Sequence, residues 1–385
     1  MTGSPAPGAS RAGVLELRDV TKRYRGAPRD AVSGLSLTVP AGAVCVLIGP
    51  SGCGKTTALK MVNRLIEPSG GEILIDGVSV RDRRPADLRR EIGYVIQQVG
   101  LLPHLTVAAN IATVPKLLGW EKDRIRSRSE ELMRLIGLEP SEYAGRYPAE
   151  LSGGQQQRVG LARALAADPP VMLMDEPFSA VDPITRERLQ NDFLRLHRQV
   201  PKTVVFVSHD IDEAVKMADL VAVMDGGRLV QCAPPAELLS APANSFVADF
   251  VGADRALKGL SLVRLEDLEL TPAPLVREGT SAEDVAARIA SGDLEPLEGA
   301  VLVADDRGRP RYWRAVGRLG EPAGTARAEP VLDRVTTLRD ALASLFEAGA
   351  AYGVVVDGDG ACVGLVGVDA ITGNLRGPAA RTGTA

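Results

Sequence analysis

The stretch Gly49-Pro50-Ser51-Gly52-Cys53-Gly54-Lys55-Thr56 constrains the fold of this chain more than any other. It follows AVCVLI, a continuous apolar run of the kind that forms a buried parallel strand, and it leads into a helical pattern. A strand, a glycine-rich loop and a helix in that order fit G-x-x-x-x-G-K-[ST] in the context the motif requires. The glycines allow backbone N–H groups to wrap a nucleotide's phosphates, and the helix N-terminus adds its positive dipole end. Lys55 supplies a point charge to the same oxygens, and the Thr56 hydroxyl is placed to hold Mg²⁺. Nucleotide contacts are therefore expected at Gly49, Pro50, Ser51, Gly52, Cys53, Gly54, Lys55, Thr56 and Thr57. The alternative, a chance match in a glycine-rich loop, is disfavoured by the strand and helix on either side.

Bulk properties narrow the class. A length of 385 residues allows two or three domains, each with a full core. Hydrophobic residues make up 45% and charged residues 24%, as in globular proteins, and the net charge of −4 argues against a nucleic-acid partner. Cys45, Cys53, Cys232 and Cys362 form no CxxC pair, which speaks against a zinc site or a disulfide framework and for a reducing cytoplasm. No apolar run reaches the roughly 18 residues of a membrane span. The first 13 residues, rich in Pro, Gly, Ser and Ala, read as a disordered tail.

Along the chain, LELRDV, GLSLTV and AVCVLI predict strands, and the pattern from about Leu101 to Glu150 is helical. VMLMDE and TVVFVSH are short apolar strands with polar C-terminal ends, and LVAVMDGGRLV predicts a hairpin. The alternation implies an α/β domain with a parallel sheet and a helical insertion. A boundary is expected between Gly252 and Pro272. Beyond it, LVREGTSAEDVAARI (275–289) aligns without gaps on VLDRVTTLRDALASL (331–345), and AVLVADDRG resembles GVVVDGDG. Each copy predicts strand, helix, strand, turn, strand.

Several residues join the phosphate loop as candidates. Asp175 and Glu176 end an apolar strand, which suits a carboxylate delivered to Mg²⁺ at the sheet edge. Asp175 is expected to hold the ion and Glu176 to act as general base. His209 ends another strand and could reach a γ-phosphate, although a lone histidine is more often structural. Gln97, after YVI, could sense that phosphate and position water or Mg²⁺. Tyr24 could stack on adenine or simply be an edge aromatic. LSGGQQQR (151–158) presents Ser152 and two glycines at what reads as a helix start, a second phosphate site in a chain that already has one.

GPSGCGKTT, Gln97, LSGGQQQR, MDEP, SAVD and His209 occur in the order and approximate spacing of ABC-transporter ATPase subunits, which residues 14 to about 250 resemble throughout. Val181 is a departure, since SALD is commoner than SAVD. The resemblance implies an α/β P-loop NTPase fold with a RecA-like core, an N-terminal antiparallel β subdomain and a helical subdomain. It implies ATP and Mg²⁺ as cofactors, with Lys55, Gln97, Glu176 and His209 in catalysis and Thr56, Gln97 and Asp175 at the metal. It implies that two copies close head-to-tail, so that Ser152, Gly153, Gly154, Gln155 and Asp182 meet the nucleotide held by the partner. KMVNRLIEPSGGEILIDG, IGYVIQQVGLLPHLTV, NIATVPKLLGW, DPITRERLQ and FVGADRALKGL further resemble the importer branch for quaternary amines such as glycine betaine, choline, carnitine and proline betaine. That branch works with integral-membrane permease subunits, contacted near PHLTV, and indirectly with an extracytoplasmic binding protein. The implied location is the cytoplasmic face of the inner or plasma membrane. An importer for another small solute, such as amino acids, would carry the same catalytic residues. A non-transport ABC protein is disfavoured by the single P-loop and the absence of sustained heptads.

The C-terminal repeat resembles a tandem CBS pair, an α+β regulatory module that many ATPases of this branch carry. The expected division is a tail at 1–13, the ATPase domain at 14–252, a linker at 253–271, the CBS module at 272–376 and a tail at 377–385. An adenine nucleotide is one possible ligand for the module. Gly367 and Ala370 depart from the Thr/Ser and Asp of the usual nucleotide pattern, and RYWRAVG departs in the first repeat. Anionic lipid is another, because RGRPRYWRAVGR (307–318) interleaves arginines with Tyr312 and Trp313. The same stretch also reads as a strand edge blunted by charge.

Overall fold

The structure, a computed structural model, describes residues 12–96, 100–179, 181–318 and 327–374. The chain divides into two compact units, Met1–Val251 and Gly252–Ala385.

The first unit contains strands β1 (Leu15–Lys22), β2 (Val32–Val39), β3 (Val44–Ile48), β4 (Gly70–Ile75), β5 (Val78–Ser79), β6 (Ile92–Val95), β7 (Val171–Asp175), β8 (Thr203–Val207), β9 (Leu220–Asp225) and β10 (Arg228–Ala233). They form two sheets. The smaller, in the order β2-β1-β4-β5, is antiparallel. In β2, Leu35, Leu37 and Val39 are buried while Ser36 and Thr38 are exposed, the two-residue period of a strand with one wet face. The larger sheet runs β10-β9-β3-β8-β7-β6 and is parallel except at the β9–β10 hairpin. Every residue of β3 and β8 is buried, as the apolar runs predict for central parallel strands. The hairpin turns at Gly226 and Gly227, both at positive φ, which is why glycine occupies the two positions.

The helix Lys55–Val62 packs Ala58, Leu59, Met61 and Val62 into the core shared with β3, β7 and β8. The predicted insertion between β6 and β7 contains helices Val107–Ile111, Thr113–Leu117, Lys122–Leu135, Pro140–Tyr143 and Gly153–Leu165. No helix among the described residues is long and apolar enough to cross a membrane. Gly13, placed by sequence at the end of a loose tail, is held: its N–H donates to the Pro170 carbonyl at 3.1 Å, and the Thr203 hydroxyl donates to its carbonyl at 2.6 Å.

The second unit builds one motif twice. β11 (Leu275–Arg277), the helix Ala282–Ala290, β12 (Ala300–Ala304) and β13 (Pro310–Ala315) are followed by β14 (Val331–Asp333), the helix Leu338–Ala348, β15 (Tyr352–Val356) and β16 (Cys362–Gly367). In each copy the first strand pairs parallel with the second, which pairs antiparallel with the third. The gapless alignment sets Ser281 opposite Thr337, and each hydroxyl caps its helix, accepting from Asp284 N at 3.1 Å and Asp340 N at 3.2 Å. One apolar cluster, with Leu302 and Trp313 from one sheet and Val354 and Leu365 from the other, joins the copies. Residues 253–271, expected as a linker, instead carry the helix Arg255–Gly259 and two 3-10 turns. Leu260 and Leu265 are buried in the core of the second copy, so their apolar side chains turn the segment into part of the unit. The basic-aromatic stretch forms edge strand β13. Tyr312 and Trp313 pack into apolar clusters, and Arg311 lies 3.5 Å from Asp305. Both rings are spent on the core, which favours the charged-edge reading over a lipid-facing one.

Candidate functional site

Parallel pairing brings the candidate loops to one level. Leu47 pairs with Val207, and Val207 with Asp175, so the turns that follow β3, β8 and β7 leave the sheet together at its C-terminal edge. The phosphate loop fits tightly against its neighbours. A Cβ at Gly49 (φ +145°) would lie 2.1 Å from the Met224 carbonyl oxygen, and one at Gly54 (φ +104°) 2.3 Å from that of Ala31. Only glycine allows this approach and this backbone conformation. Lys55 is buried, with its ammonium 2.6 Å from the Gly49 carbonyl and 3.0 Å from that of Pro50. The loop's own carbonyls thus hold the cation at the point where the motif needs it.

Thr56 Oγ1 donates to Asp175 Oδ1 at 3.0 Å. A hydroxyl and a carboxylate converging at the start of a helix are a hard-oxygen donor pair of the kind Mg²⁺ takes, so the residues present fit that ion. After burial, the Asp175 charge is the second cause that raises the Tyr94 phenol, to about 12. Glu176 adopts φ +48°, a left-handed conformation that costs a non-glycine residue about 1–3 kcal/mol. Its N–H donates to the Val207 carbonyl at 3.1 Å, and its carbonyl accepts from the Ser179 hydroxyl at 3.0 Å. Those bonds hold the strained turn. His209 Nδ1 lies 3.6 Å from Glu176 Oε2, adjacent but beyond a hydrogen bond. Ala31, Ser51 through Thr57, Glu176 and His209 line one open cleft of about 500 Å³, a size suited to a nucleotide. Tyr24 lies beside this cleft, with its hydroxyl 3.5 Å from Thr57 Oγ1 and the Lys22 ammonium 5.3 Å from its ring centre.

The second candidate phosphate site is separate. Ser152, Gly153, Gly154 and Gln155 do not line this cleft. They start the helix Gly153–Leu165, where Ser152 Oγ accepts from Gln155 N at 3.3 Å and Ser152 N donates to Gln155 Oε1 at 2.9 Å. A Cβ at Gly153 would meet nothing within 4 Å, so its glycine answers no internal contact. Asp182 likewise caps the helix Pro183–Gln199, accepting from Thr185 N at 3.0 Å, and that backbone N–H first of all holds its carboxyl below the usual range. Gln97 lies outside the described residues.

Three features were not read from the sequence. Ala31 forms part of the cleft wall. Asn110, fully buried, exchanges hydrogen bonds with Leu102 and donates to Leu105 and Thr106, stapling the PHLTV segment. Glu213, buried behind His209, receives bonds from Ser208 and Gln190. An alanine, an asparagine and a helical glutamate carry no signal in a single sequence. Only the contacts single them out.

Comparison with known proteins places this geometry. The family model described as "ABC transporter" matches residues 32–179. The osmoprotectant import ATP-binding protein OsmV of Salmonella typhimurium is 46% identical over 371 residues, covering 94% of this chain and 96% of that protein. The choline transport ATP-binding protein OpuBA of Bacillus subtilis is 42% identical over 364 residues, covering 92% and 94%. Among solved structures, a dimeric post-hydrolysis ATP-binding cassette bound to ADP and Pi superposes with TM-score 0.51 and 34% identity over 57% of this chain and 98% of that one. CbiO1 of Clostridium perfringens, part of an ABC transporter complex, gives TM-score 0.56 and 26% identity over 60% and 93%.

Proposed function

This chain belongs to the ATP-binding subunits of ABC transporters, and on that premise we propose that it hydrolyses ATP to drive an importer of quaternary amines or related osmoprotectants. The observation that carries the ATPase reading is the single cleft in which Glu176 and His209 face the phosphate loop, with Thr56 and Asp175 joined at 3.0 Å beside it. The solute follows from relatives named for osmoprotectants, choline and glycine betaine, carnitine and choline together.

The phosphate loop and Lys55 bind and orient the ATP phosphates. Mg²⁺, when bound, neutralises charge on those phosphates, and Thr56 and Asp175 would hold it. Glu176 is positioned to take a proton from the attacking water, with His209 beside it. Ser152 and the Gly153 and Gly154 amides cap a nucleotide held by a second copy, in keeping with their absence from the lining of the chain's own cleft. Each chain then contributes two half-sites, and head-to-tail dimerisation completes both. Membrane permease subunits receive the motion through the segment stapled by Asn110, on the cytoplasmic face. The second unit is a tandem CBS-like regulatory pair.

Two experiments test this reading. Glu176→Gln should bind ATP, lower turnover by about 10²- to 10⁴-fold and accumulate as a dimer in ATP, measured by phosphate release and sedimentation. Near-normal turnover would reassign the base. Uptake of labelled glycine betaine, choline, carnitine and an amino acid in cells with and without this chain reads the solute. Dependence confined to the amino acid would favour the other importer class.

A further inference from the structure

Behind His209 and Glu176 lies a small cavity that the mechanism above does not use. Arg186, Ser208, Asp210 and Glu213 line it together with those two residues. Glu213 is 7% exposed, and a carboxylate taken out of water requires partners. Ser208 Oγ donates to its Oε2, and Gln190 Nε2 donates to its Oε1 at 3.1 Å. The Ser208 hydroxyl accepts from Asp210 N at 3.0 Å and also lies 3.4 Å from the Asp210 carbonyl, a more distant acceptor for its proton than the Glu213 carboxyl. The residues on either side of His209 are thus bound through one hydroxyl whose orientation Glu213 sets. Asp210 Oδ1 closes the loop, accepting from Asp212 N at 2.8 Å and Glu213 N at 3.3 Å.

We propose that Glu213 is a positioning residue for hydrolysis, fixing the Ser208–Asp210 turn that carries His209 beside Glu176. The inference rests on the reading of Glu176 and His209 as the hydrolytic pair. Burial is the largest influence on the Glu213 carboxyl and raises it. Ser208, Gln190 and Arg186 oppose that rise, and the Asp210 charge adds to it. Arg186 also donates to the Val181 carbonyl at 3.2 Å, in the turn leading to Asp182. The Glu213 carboxyl therefore faces both the histidine turn and the helix that begins at the subunit's other half-site. An amide at position 213 could still accept from Ser208. It would keep the Gln190 bond only by turning that amide over, and it would remove the ionisable group facing Arg186.

The test uses ATP hydrolysis by the full chain. Glu213→Gln should lower kcat by about 10- to 100-fold with KM for ATP within about twofold, because a misplaced catalytic turn costs rate without touching the phosphate loop. The swap Gln190→Glu with Glu213→Gln keeps one carboxylate and one amide across the same hydrogen bond and should recover most of the loss. Wild-type kcat in Glu213→Gln, or a loss the swap does not recover, overturns the proposal. If Glu213→Gln does not fold, Ser208→Ala reads the same link. A reduced kcat at unchanged KM supports it, and wild-type kcat overturns it. Glu176→Gln separates the premises: full turnover there overturns the hydrolytic assignment itself, whereas an inactive Glu176→Gln beside a fully active Glu213→Gln overturns only the role of Glu213.

Discussion

Gly54 shows how much of the site depends on a missing atom. Its φ of +104° and the 2.3 Å approach of the Ala31 carbonyl both exclude a side chain. Gly54→Ala should therefore destabilise the first unit by about 1–3 kcal/mol, read as a lower urea midpoint, and abolish ATP binding together with it. Thr56→Ala removes the hydroxyl that meets Asp175 but leaves the loop backbone intact. It should spare folding and raise the Mg²⁺ concentration needed for half-maximal turnover, measured by metal titration. At Glu176 the strain is part of the placement. A positive φ directs the residue after Asp175 into the cleft, where an extended backbone would continue the strand. The motif letters for Lys55, Thr56, Asp175 and Glu176 were legible because phosphate and metal chemistry restrict residue type. The strain at Glu176 was not legible, because the hydrogen bond to Val207 that holds it comes from a distant strand.

Helix starts carry stability here, and the proposed mechanism gives two of them a function as well. Ser152 spends its hydroxyl on Gln155 N, so Ser152→Ala should loosen the helix Gly153–Leu165 by about 1 kcal/mol. It should also weaken nucleotide-dependent dimer formation in a Glu176→Gln background, read by sedimentation. Asp182 caps the helix Pro183–Gln199, and the Thr185 N–H holds its carboxyl below the ordinary range. A lowered folded-state value means this contribution is complete at neutral pH and is lost as pH falls from the ordinary carboxylate range through the lowered folded-state value. Asp182→Asn should therefore flatten the acid side of the stability curve, followed by urea midpoints across that range. Strand existence and helix type followed from apolar period and caps. The turns at Ser281 and Thr337 could be matched in the sequence because a repeat compares the chain with itself.

The chain divides at Val251–Gly252, and the described core around β3, β7 and β8 draws only on residues of the first unit. A chain ending at residue 251 should keep cooperative unfolding and ATP binding, checked by thermal melting and nucleotide titration. Loss of both would mean that the first unit depends on the second for its fold. The sequence by itself determined the parallel sheet, the phosphate loop, the acids at the C-terminal end of β7, the twofold repeat and the family, since each rests on local pattern or on residue types that chemistry restricts. Tertiary structure alone decided that 253–271 is packed rather than a tether, that Tyr312 and Trp313 serve the core, and that Glu213 lies behind His209. Those outcomes depend on which distant side chains meet. LSGGQ belongs to both lists. Its residue types raised the expectation of a phosphate site, and in the fold it does not line the cleft of the chain's own phosphate loop.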